Sequence, residues 1–143
     1  MLRNIPPILS PDLLHTLRAM GHGDEIVIAD ANFPGTSMNR NCIRLDGVTA
    51  TDVLGAILTV MPLDSFVDHP ALTMQVVGEP DTTPPICDEF TRIIDAVADN
   101  PARPGTLERF AFYDRAKTAF AIVQTGEQRI YGNIILKKGI IAP

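Results

Sequence analysis

A histidine between two glycines is the first residue along the chain whose setting could support chemistry. It lies in the run Gly21-His22-Gly23-Asp24. Flanking glycines leave an imidazole little steric cover, so His22 can project into a pocket. An imidazole titrates near neutral pH and can both give and take a proton, which is acid/base chemistry. The alternative is that the glycines only turn the chain and that His22 is an ordinary surface residue.

The other polar candidates also have purely structural interpretations. Asp30 ends an apolar run, where an aspartate either faces a ligand beyond the strand or caps a turn. Arg109 and Asp114 could form a surface ion pair of little consequence. The segment Tyr131-Gly132-Asn133 could be turn chemistry ahead of the last strand, and Lys137-Lys138-Gly139 a solvated strand end.

The sequence lacks the spacing expected of a metal site or a nucleotide cofactor. Its three histidines, His15, His22 and His69, match no zinc pattern. No glycine-rich phosphate loop of either common type is present. Ser37 and Ser65 lack the nucleophile-elbow context of a hydrolase. We therefore expect no metal and no cofactor.

The composition is ordinary for a globular protein and unsuited to binding nucleic acid. The chain has 143 residues with 12 Lys and Arg against 17 Asp and Glu, a formal charge of -5. That length fits one domain, and the acidic balance lacks the basic face that phosphate binding requires. No apolar run reaches membrane-spanning length, and the first residues do not resemble a signal peptide. Cys42 and Cys87 match no zinc or redox spacing, so we expect reduced thiols in a cytoplasmic protein.

Hydrophobic periodicity predicts the elements that must position these residues. Ser10-Pro11-Asp12 begins a helix whose apolar stripe ends at Met20, and Gly21 is expected to close it in the left-handed conformation. Thr49 and Asp52 resemble a capping box at the start of a second helix. The other predicted elements are a strand at 25–29, a loop at Pro34-Gly35, a strand at 42–45, a strand at 72–77, a helix opened by Pro84-Pro85, a loop at 100–105, a helix at 111–119, and strands at 120–124 and 133–136.

Helices that alternate with short apolar strands are typical of an α/β fold. We predict a single three-layer α/β/α domain over residues 1–143, with a mainly parallel sheet covered by helices on both faces. Open sheets of this kind bind ligands beyond the carboxyl ends of their strands, which is where Asp30 is expected.

Four segments, taken in order, resemble the L-fucose mutarotase branch of the ribose pyranase/fucose mutarotase family. They are Gly-His-Gly-Asp-Glu at 21–25, Asp-Ala-Asn-Phe-Pro at 30–34, Arg-Phe-Ala-Phe-Tyr at 109–113 and Tyr-Gly-Asn-Ile-Ile-Leu-Lys-Lys-Gly at 131–139. The resemblance runs nearly end to end. Some relatives carry histidines in the loop after the aspartate, where this chain has Asn32 and Thr36. The resemblance therefore supplies no second acid/base from that loop.

The resemblance implies a cofactor-free isomerase that interconverts the α and β anomers of a free monosaccharide, with L-fucose the leading candidate. It implies that His22 is the acid/base, and the Tyr131 phenol could assist the second proton transfer. The sugar-contacting residues that it implies are Asp30, Arg109, Tyr131, Gly132 and Asn133. It also implies a homo-oligomer, a decameric ring with sites shared between neighbours. Two alternatives stay open: a D-ribose pyranase, which exchanges pyranose and furanose forms, and a non-catalytic sugar-binding accessory of a transport system.

Overall fold

Helices and strands alternate along most of the chain in the computed structural model, which describes residues 1–143. The helices are α1 (Pro11–Ala19), α2 (Gly35–Met38), α3 (Ala50–Leu58), α4 (Pro85–Val97) and α5 (Arg109–Thr118). The strands are β1 (Glu25–Ala29), β2 (Cys42–Leu45), β3 (Ala71–Met74), β4 (Gly105–Leu107), β5 (Ala121–Thr125) and β6 (Ile134–Lys137).

The six strands form one mixed sheet in the order β2-β5-β1-β6-β3-β4. β6 runs antiparallel to both of its neighbours, β1 and β3, while the remaining neighbouring pairs are parallel. Five strands therefore point the same way, which confirms the mainly parallel sheet. The last strand of the chain is one of the two central strands and the only one that points the other way.

Helices cover both faces of this sheet, which confirms the three-layer α/β/α architecture. Ile26 and Ile28 of β1 pack into the core beneath α1, α3 and α4, whereas Val27 and Ala29 pack into the core beneath α5. This division follows from the pleat, which sends successive side chains to opposite faces. No helix is both long enough and apolar enough to span a bilayer.

Two of the predicted helix starts, at Ser10 and Thr49, are confirmed at the level of single hydrogen bonds. Ser10 accepts the amide of Leu13 at 3.3 Å, and Thr49 accepts the amide of Asp52 at 3.1 Å. The predicted end of α1 is wrong, because the backbone turns extended at Met20 and the left-handed glycine of this loop is Gly23, not Gly21.

Two other predictions fail where tertiary contacts decide the local structure. The predicted loop at Pro34-Gly35 leads directly into the short helix α2. A Cβ on Gly35 would lie 2.5 Å from Oε1 of Gln124, so this glycine serves a close contact with β5. The predicted loop at 100–105 is confirmed as far as residue 104, but the sequence did not predict strand β4, which begins at Gly105 and pairs in parallel with β3. The predicted strand at 72–77 is also shorter and ends at Met74.

Candidate active site

An open pocket of about 270 Å³ lies at the edge of the sheet where the parallel strands have their carboxyl ends, here called the carboxyl edge. Asp30 follows β1, Arg109 begins α5, and Tyr131 and Asn133 precede the antiparallel β6, so all four side chains come to this edge. Gly132 is buried between the last two. The complete lining is Asp30, Asn32, Phe33, Met74, Val77, Arg109, Tyr113, Ile130, Tyr131 and Asn133.

Two buried side chains, Asp30 and Asn133, are held against each other in this pocket. Asn133 accepts the amide of Asp30 through Oδ1 at 2.9 Å and donates from Nδ2 to Oδ2 of Asp30 at 2.8 Å. The other carboxylate oxygen accepts the amide of Asn32 at 2.9 Å, which is the turn cap that the sequence allowed. Both groups are therefore fixed in orientation, because each is hydrogen-bonded on more than one side.

Tyr131 and Gly132 shape the loop that enters β6. Tyr131 has φ +63°, a left-handed conformation that is uncommon for a residue with a side chain. Its phenol oxygen accepts the amide of Val77 at 3.1 Å, so the phenolic hydrogen remains available to a ligand. A Cβ on Gly132 would lie 2.8 Å from Cγ of Glu127 and 3.0 Å from the carbonyl oxygen of Arg129. The loop therefore has no room for a larger residue at this position.

Arg109 brings a positive charge without a carboxylate partner. Its guanidinium lies 4.9 Å from the ring centre of Phe110 and 5.7 Å from that of Tyr113, and its buried Nε has no hydrogen-bond partner. The surface ion pair with Asp114 that the sequence allowed does not form, since Asp114 pairs with Lys117 at 3.2 Å. Buried donors normally have partners, so an unpaired donor at a pocket indicates a place for a ligand oxygen.

His22 lies at the opposite edge, here called the amino edge, because it precedes β1 whereas Asp30 follows it. A five-residue strand spans about 17 Å. Nε2 of His22 is 3.2 Å from Oδ1 of Asp64, and the Phe66 ring centre is 5.4 Å from that of the imidazole. The histidine side chain is 46% exposed and the aspartate side chain only 4%. Within one chain, His22 therefore lies far from the other candidate residues.

Sequence reasoning did not single out Asp64 and Phe66, although they complete the surroundings of His22. Oδ1 of Asp64 accepts the amide of Phe66 at 3.0 Å as well as the contact from His22. Burial alone would raise the pKa of the Asp64 carboxyl, but hydrogen bonds from the Phe66 amide and His22 outweigh it and leave the pKa below its usual value. The carboxylate is thus charged at neutral pH and can orient and stabilise a protonated imidazole. An aspartate two residues before an aromatic in a loop gives no stronger signal in the sequence than a common turn.

The interpretation of Lys137-Lys138-Gly139 as a solvated strand end is wrong. Nζ of Lys138 donates to the carbonyls of Leu17 and Met20, and Lys137 pairs with Glu25 at 3.2 Å. The last carbonyls of α1 need hydrogen-bond donors. A left-handed glycine would let the following backbone amides donate to them, but here the amino group of Lys138 is the donor. This contact explains why Gly21 does not close the helix.

The described residues contain no group of three His, Cys, Asp or Glu side chains placed to hold a metal ion. Cys42 and Cys87 are free thiols, and burial raises the pKa of the Cys87 thiol to about 11. The two edges present one histidine–carboxylate pair and one set of hydrogen-bonding side chains.

A sequence profile of the RbsD / FucU transport protein family matches residues 3–141. The chain belongs to this family. A relative within the RbsD / FucU family, the L-fucose mutarotase of Haemophilus influenzae, is 46% identical over 140 residues, which cover 98% of this chain and 97% of the relative.

Solved structures of RbsD / FucU proteins have the same α/β fold. The fucose mutarotase of Streptococcus pneumoniae, in complex with L-fucose, is 48% identical and superposes with a TM-score of 0.91 over 99% of this chain and 100% of its own. Bacillus subtilis RbsD, complexed with D-ribose, is 21% identical with a TM-score of 0.77 over 99% and 100% of the two chains. The second likeness shows the fold alone.

Proposed function

We propose that this chain is a mutarotase that interconverts the α and β anomers of free L-fucose by opening and reclosing the sugar ring. Its similarity over nearly the full length to fucose mutarotases supports this activity. The observation that carries the proposal is the pair formed by an exposed imidazole, His22, and a buried carboxylate, Asp64. Such a pair can move protons at neutral pH.

Ring opening needs two proton transfers, and ring closure needs the same two in reverse. In opening, one proton leaves the anomeric hydroxyl and one arrives at the ring oxygen as the C1–O5 bond breaks. The resulting aldehyde rotates about the C1–C2 bond. The C5 hydroxyl oxygen then closes on the other face of the carbonyl, losing its proton while the carbonyl oxygen gains one. Because no group leaves and no redox change occurs, acid/base side chains of the protein are sufficient. In the proposed mechanism His22 carries the proton in both directions, and Asp64 holds the imidazole.

The carboxyl-edge pocket supplies the groups that would hold the sugar. Asp30 and Asn133 offer an oriented acceptor and amide to ring hydroxyls, and Arg109 offers an unpaired donor. The Tyr131 phenol, whose oxygen already accepts from Val77, is assigned the donation of the second proton. Gly132 keeps the backbone between these residues tight against the pocket.

This mechanism requires two copies of the chain, because His22 and the carboxyl-edge pocket lie at opposite edges of the sheet. We propose a homo-oligomeric ring, a decamer, in which His22 of one subunit faces the pocket of its neighbour. Head-to-tail contacts of this kind form a ring when the rotation between neighbouring subunits closes. Exposed apolar side chains beside each edge support it: Phe66 and Val67 at the amino edge, and Val77, Phe110 and Ile130 at the carboxyl edge.

The proposal includes a cytoplasmic location and a free monosaccharide as the partner. Two free thiols with no disulfide are typical of reducing compartments, which supports the location. The absence of a glycine-rich phosphate loop in the sequence favours an unphosphorylated sugar.

The decisive measurement is saturation-transfer NMR of anomer exchange for L-fucose, D-ribose and D-ribose 5-phosphate. We expect the protein to exchange L-fucose fastest and the phosphate slowest. Faster pyranose–furanose exchange of D-ribose would instead support a ribose pyranase, and binding without exchange would support a transport accessory. Activity should survive exhaustive chelation, and a loss reversed by one divalent metal would contradict the cofactor-free mechanism.

Mixing experiments test the shared site. His22→Ala and Tyr131→Ala subunits are each expected to be inactive as pure assemblies. When co-assembled in equal amounts, about a quarter of the interfaces carry both intact residues if assembly is random, so that fraction of the exchange rate should return. No recovery in assemblies verified as mixed would contradict a site shared between His22 of one subunit and Tyr131 of its neighbour.

A further inference from the structure

The chain continues past β6 into Lys138, whose backbone is bonded to the loop that carries His22. The amide of Gly23 donates to the carbonyl of Lys138 at 2.9 Å, and the amide of Lys138 donates to the carbonyl of Asp24 at 2.9 Å. These reciprocal bonds fix the chain on the C-terminal side of His22.

The side chain of Lys138 fixes the other end of the same loop. Its Nζ donates to the carbonyls of Leu17 and Met20 at 2.7 and 2.6 Å. Carbonyls at a helix end lack partners within the helix, and a cation there is favoured by the helix dipole. Backbone and side chain of a single residue therefore hold both ends of the short loop on which His22 is exposed.

The residues on either side of Lys138 bond the loop that carries Asp64. The amide of Asp64 donates to the carbonyl of Lys137 at 3.1 Å, and the amide of Gly139 donates to the carbonyl of Pro62 at 2.8 Å. A Cβ on Gly139 would collide with the carbonyl oxygen of Leu63, so the two backbones lie too close together for any residue larger than glycine. One extended segment thus lies between the two members of the His22–Asp64 pair and is bonded to both.

We propose that Lys138 is a positioning residue that sets the hydrogen bond between His22 and Asp64. It acts through these two side chains, and its importance for the reaction rests on the proposed function. Without the ammonium group, Leu17 and Met20 lose the donor to their carbonyls and the start of the His22 loop is free to shift. Misplacement of a reacting group by about 1 Å can cost on the order of a hundredfold in rate.

The test replaces Lys138 by methionine, which has similar length and no donor. We expect Lys138→Met to lower kcat for L-fucose exchange by roughly 10- to 100-fold, with little change in KM because the sugar-binding groups lie at the other edge. The pKa of Asp64, followed by ¹³C NMR of its carboxylate, should rise toward the usual 3.8 as the contact with His22 loosens. Lys138→Arg should restore most of both properties, since a guanidinium can donate to two carbonyls.

Lys117→Met is the matched control. Lys117 pairs with Asp114 on the exposed face of α5, so its replacement should leave both kcat and the Asp64 titration unchanged. Wild-type kcat, or an unshifted Asp64 pKa in folded Lys138→Met protein, would overturn the positioning role. If the methionine variant does not fold, Lys138→Gln, whose shorter uncharged side chain can donate to only one of the two carbonyls at a time, should still lower kcat and raise the Asp64 pKa, and wild-type values of both would overturn the role. If the wild-type protein does not exchange L-fucose, the proposed function fails, while the Asp64 titration still decides the role of Lys138.

Discussion

The two edges of the sheet hold their polar groups in different ways. At the carboxyl edge, Asp30 and Asn133 are both buried and bonded to each other, and Arg109 has no carboxylate partner. At the amino edge, Asp64 is buried but its partner His22 is nearly half exposed. A fixed set of donors and acceptors suits binding, whereas an exposed imidazole on a buried carboxylate suits proton transfer. One chain thus holds the two kinds of group that the proposed mechanism needs, but at opposite edges of the sheet.

This separation predicts that changes at the two edges affect different kinetic constants. Loss of a group that acts only in the transition state lowers kcat, while loss of a group that binds ground and transition states equally raises KM. Amino-edge variants should therefore lower kcat, and variants of the carboxyl-edge groups assigned to binding, Asp30, Arg109 and Asn133, should raise KM. Tyr131 is the exception at that edge, because it is assigned a proton transfer and its loss should lower kcat.

The largest effect is expected from His22→Ala. Removal of the proposed acid/base should lower kcat for L-fucose exchange by about 10²–10⁴-fold, the usual contribution of general acid–base catalysis, with KM nearly unchanged. Saturation-transfer NMR measures both constants. His15→Ala, at an exposed position on α1, is the control and should behave as wild type. Wild-type exchange by His22→Ala would remove this residue from the mechanism.

The next largest effect is expected from Arg109→Gln at the opposite edge. Loss of one charge-assisted hydrogen bond, about 1.5–3 kcal/mol, should raise KM by roughly 10- to 100-fold with a smaller change in kcat. Arg44→Gln serves as control, because Arg44 forms an exposed pair with Asp46 away from the pocket. A fall in kcat at unchanged KM would assign Arg109 to proton transfer and remove the distinction between the edges.

A third prediction concerns the rigidity of the carboxyl edge. Gly132→Ala forces a methyl group against Glu127 and the backbone of Arg129, so the free energy of unfolding should fall by about 1–3 kcal/mol. Gly47→Ala is the matched control, since no atom outside its immediate chain neighbours lies within 4 Å of the added carbon. Urea unfolding measures both variants. Equal stabilities would mean that the Gly132 loop yields easily and does not hold Asn133 in place.

The smallest effect is expected at Phe66. Its ring packs beside the imidazole, and aromatic pairs contribute about 0.5–1.5 kcal/mol beyond their buried area. Phe66→Leu should therefore lower kcat by only a fewfold to about tenfold, and Phe66→Tyr should retain the wild-type value. Phe120→Leu removes another exposed aromatic ring and is the control, so it should leave kcat unchanged. A rise in KM that is larger than the fall in kcat would show that Phe66 contacts the sugar itself.

Elements with local causes could be predicted from the sequence. The caps at Ser10 and Thr49 depend on neighbours three residues away, and the continuous apolar run of β1 identifies a buried strand by itself. Strand β4 and helix α2 could not be predicted in this way. Strand β4 exists because β3 accepts it as a neighbour, and helix α2 begins at a glycine, Gly35, that the contact with Gln124 requires.

The candidate site was predictable in its residues more than in its geometry. Asp30, Arg109, Tyr131 and Asn133 come together as the resemblance implied, and Asp64 was missed because its partner is 42 positions away. The separation of His22 from Asp30 was present in the sequence, since the predicted strand at 25–29 lies between them. Closeness in the sequence therefore does not mean closeness in the fold: His22 is near Asp30 in the sequence but contacts Asp64.

The position of β6 has a consequence for how the chain is made. This strand is synthesised after the other five, yet it pairs with both β1 and β3. Until β6 is made, no strand joins the group of β2, β5 and β1 to the pair of β3 and β4. Each group then exposes the unpaired backbone of the strand that β6 will join. Strand pairing across more than 100 positions is slow to form, because a long loop must close first. A nascent chain cut short by even its final segment would thus consist of two unjoined half-sheets, exposed to aggregation and to degradation.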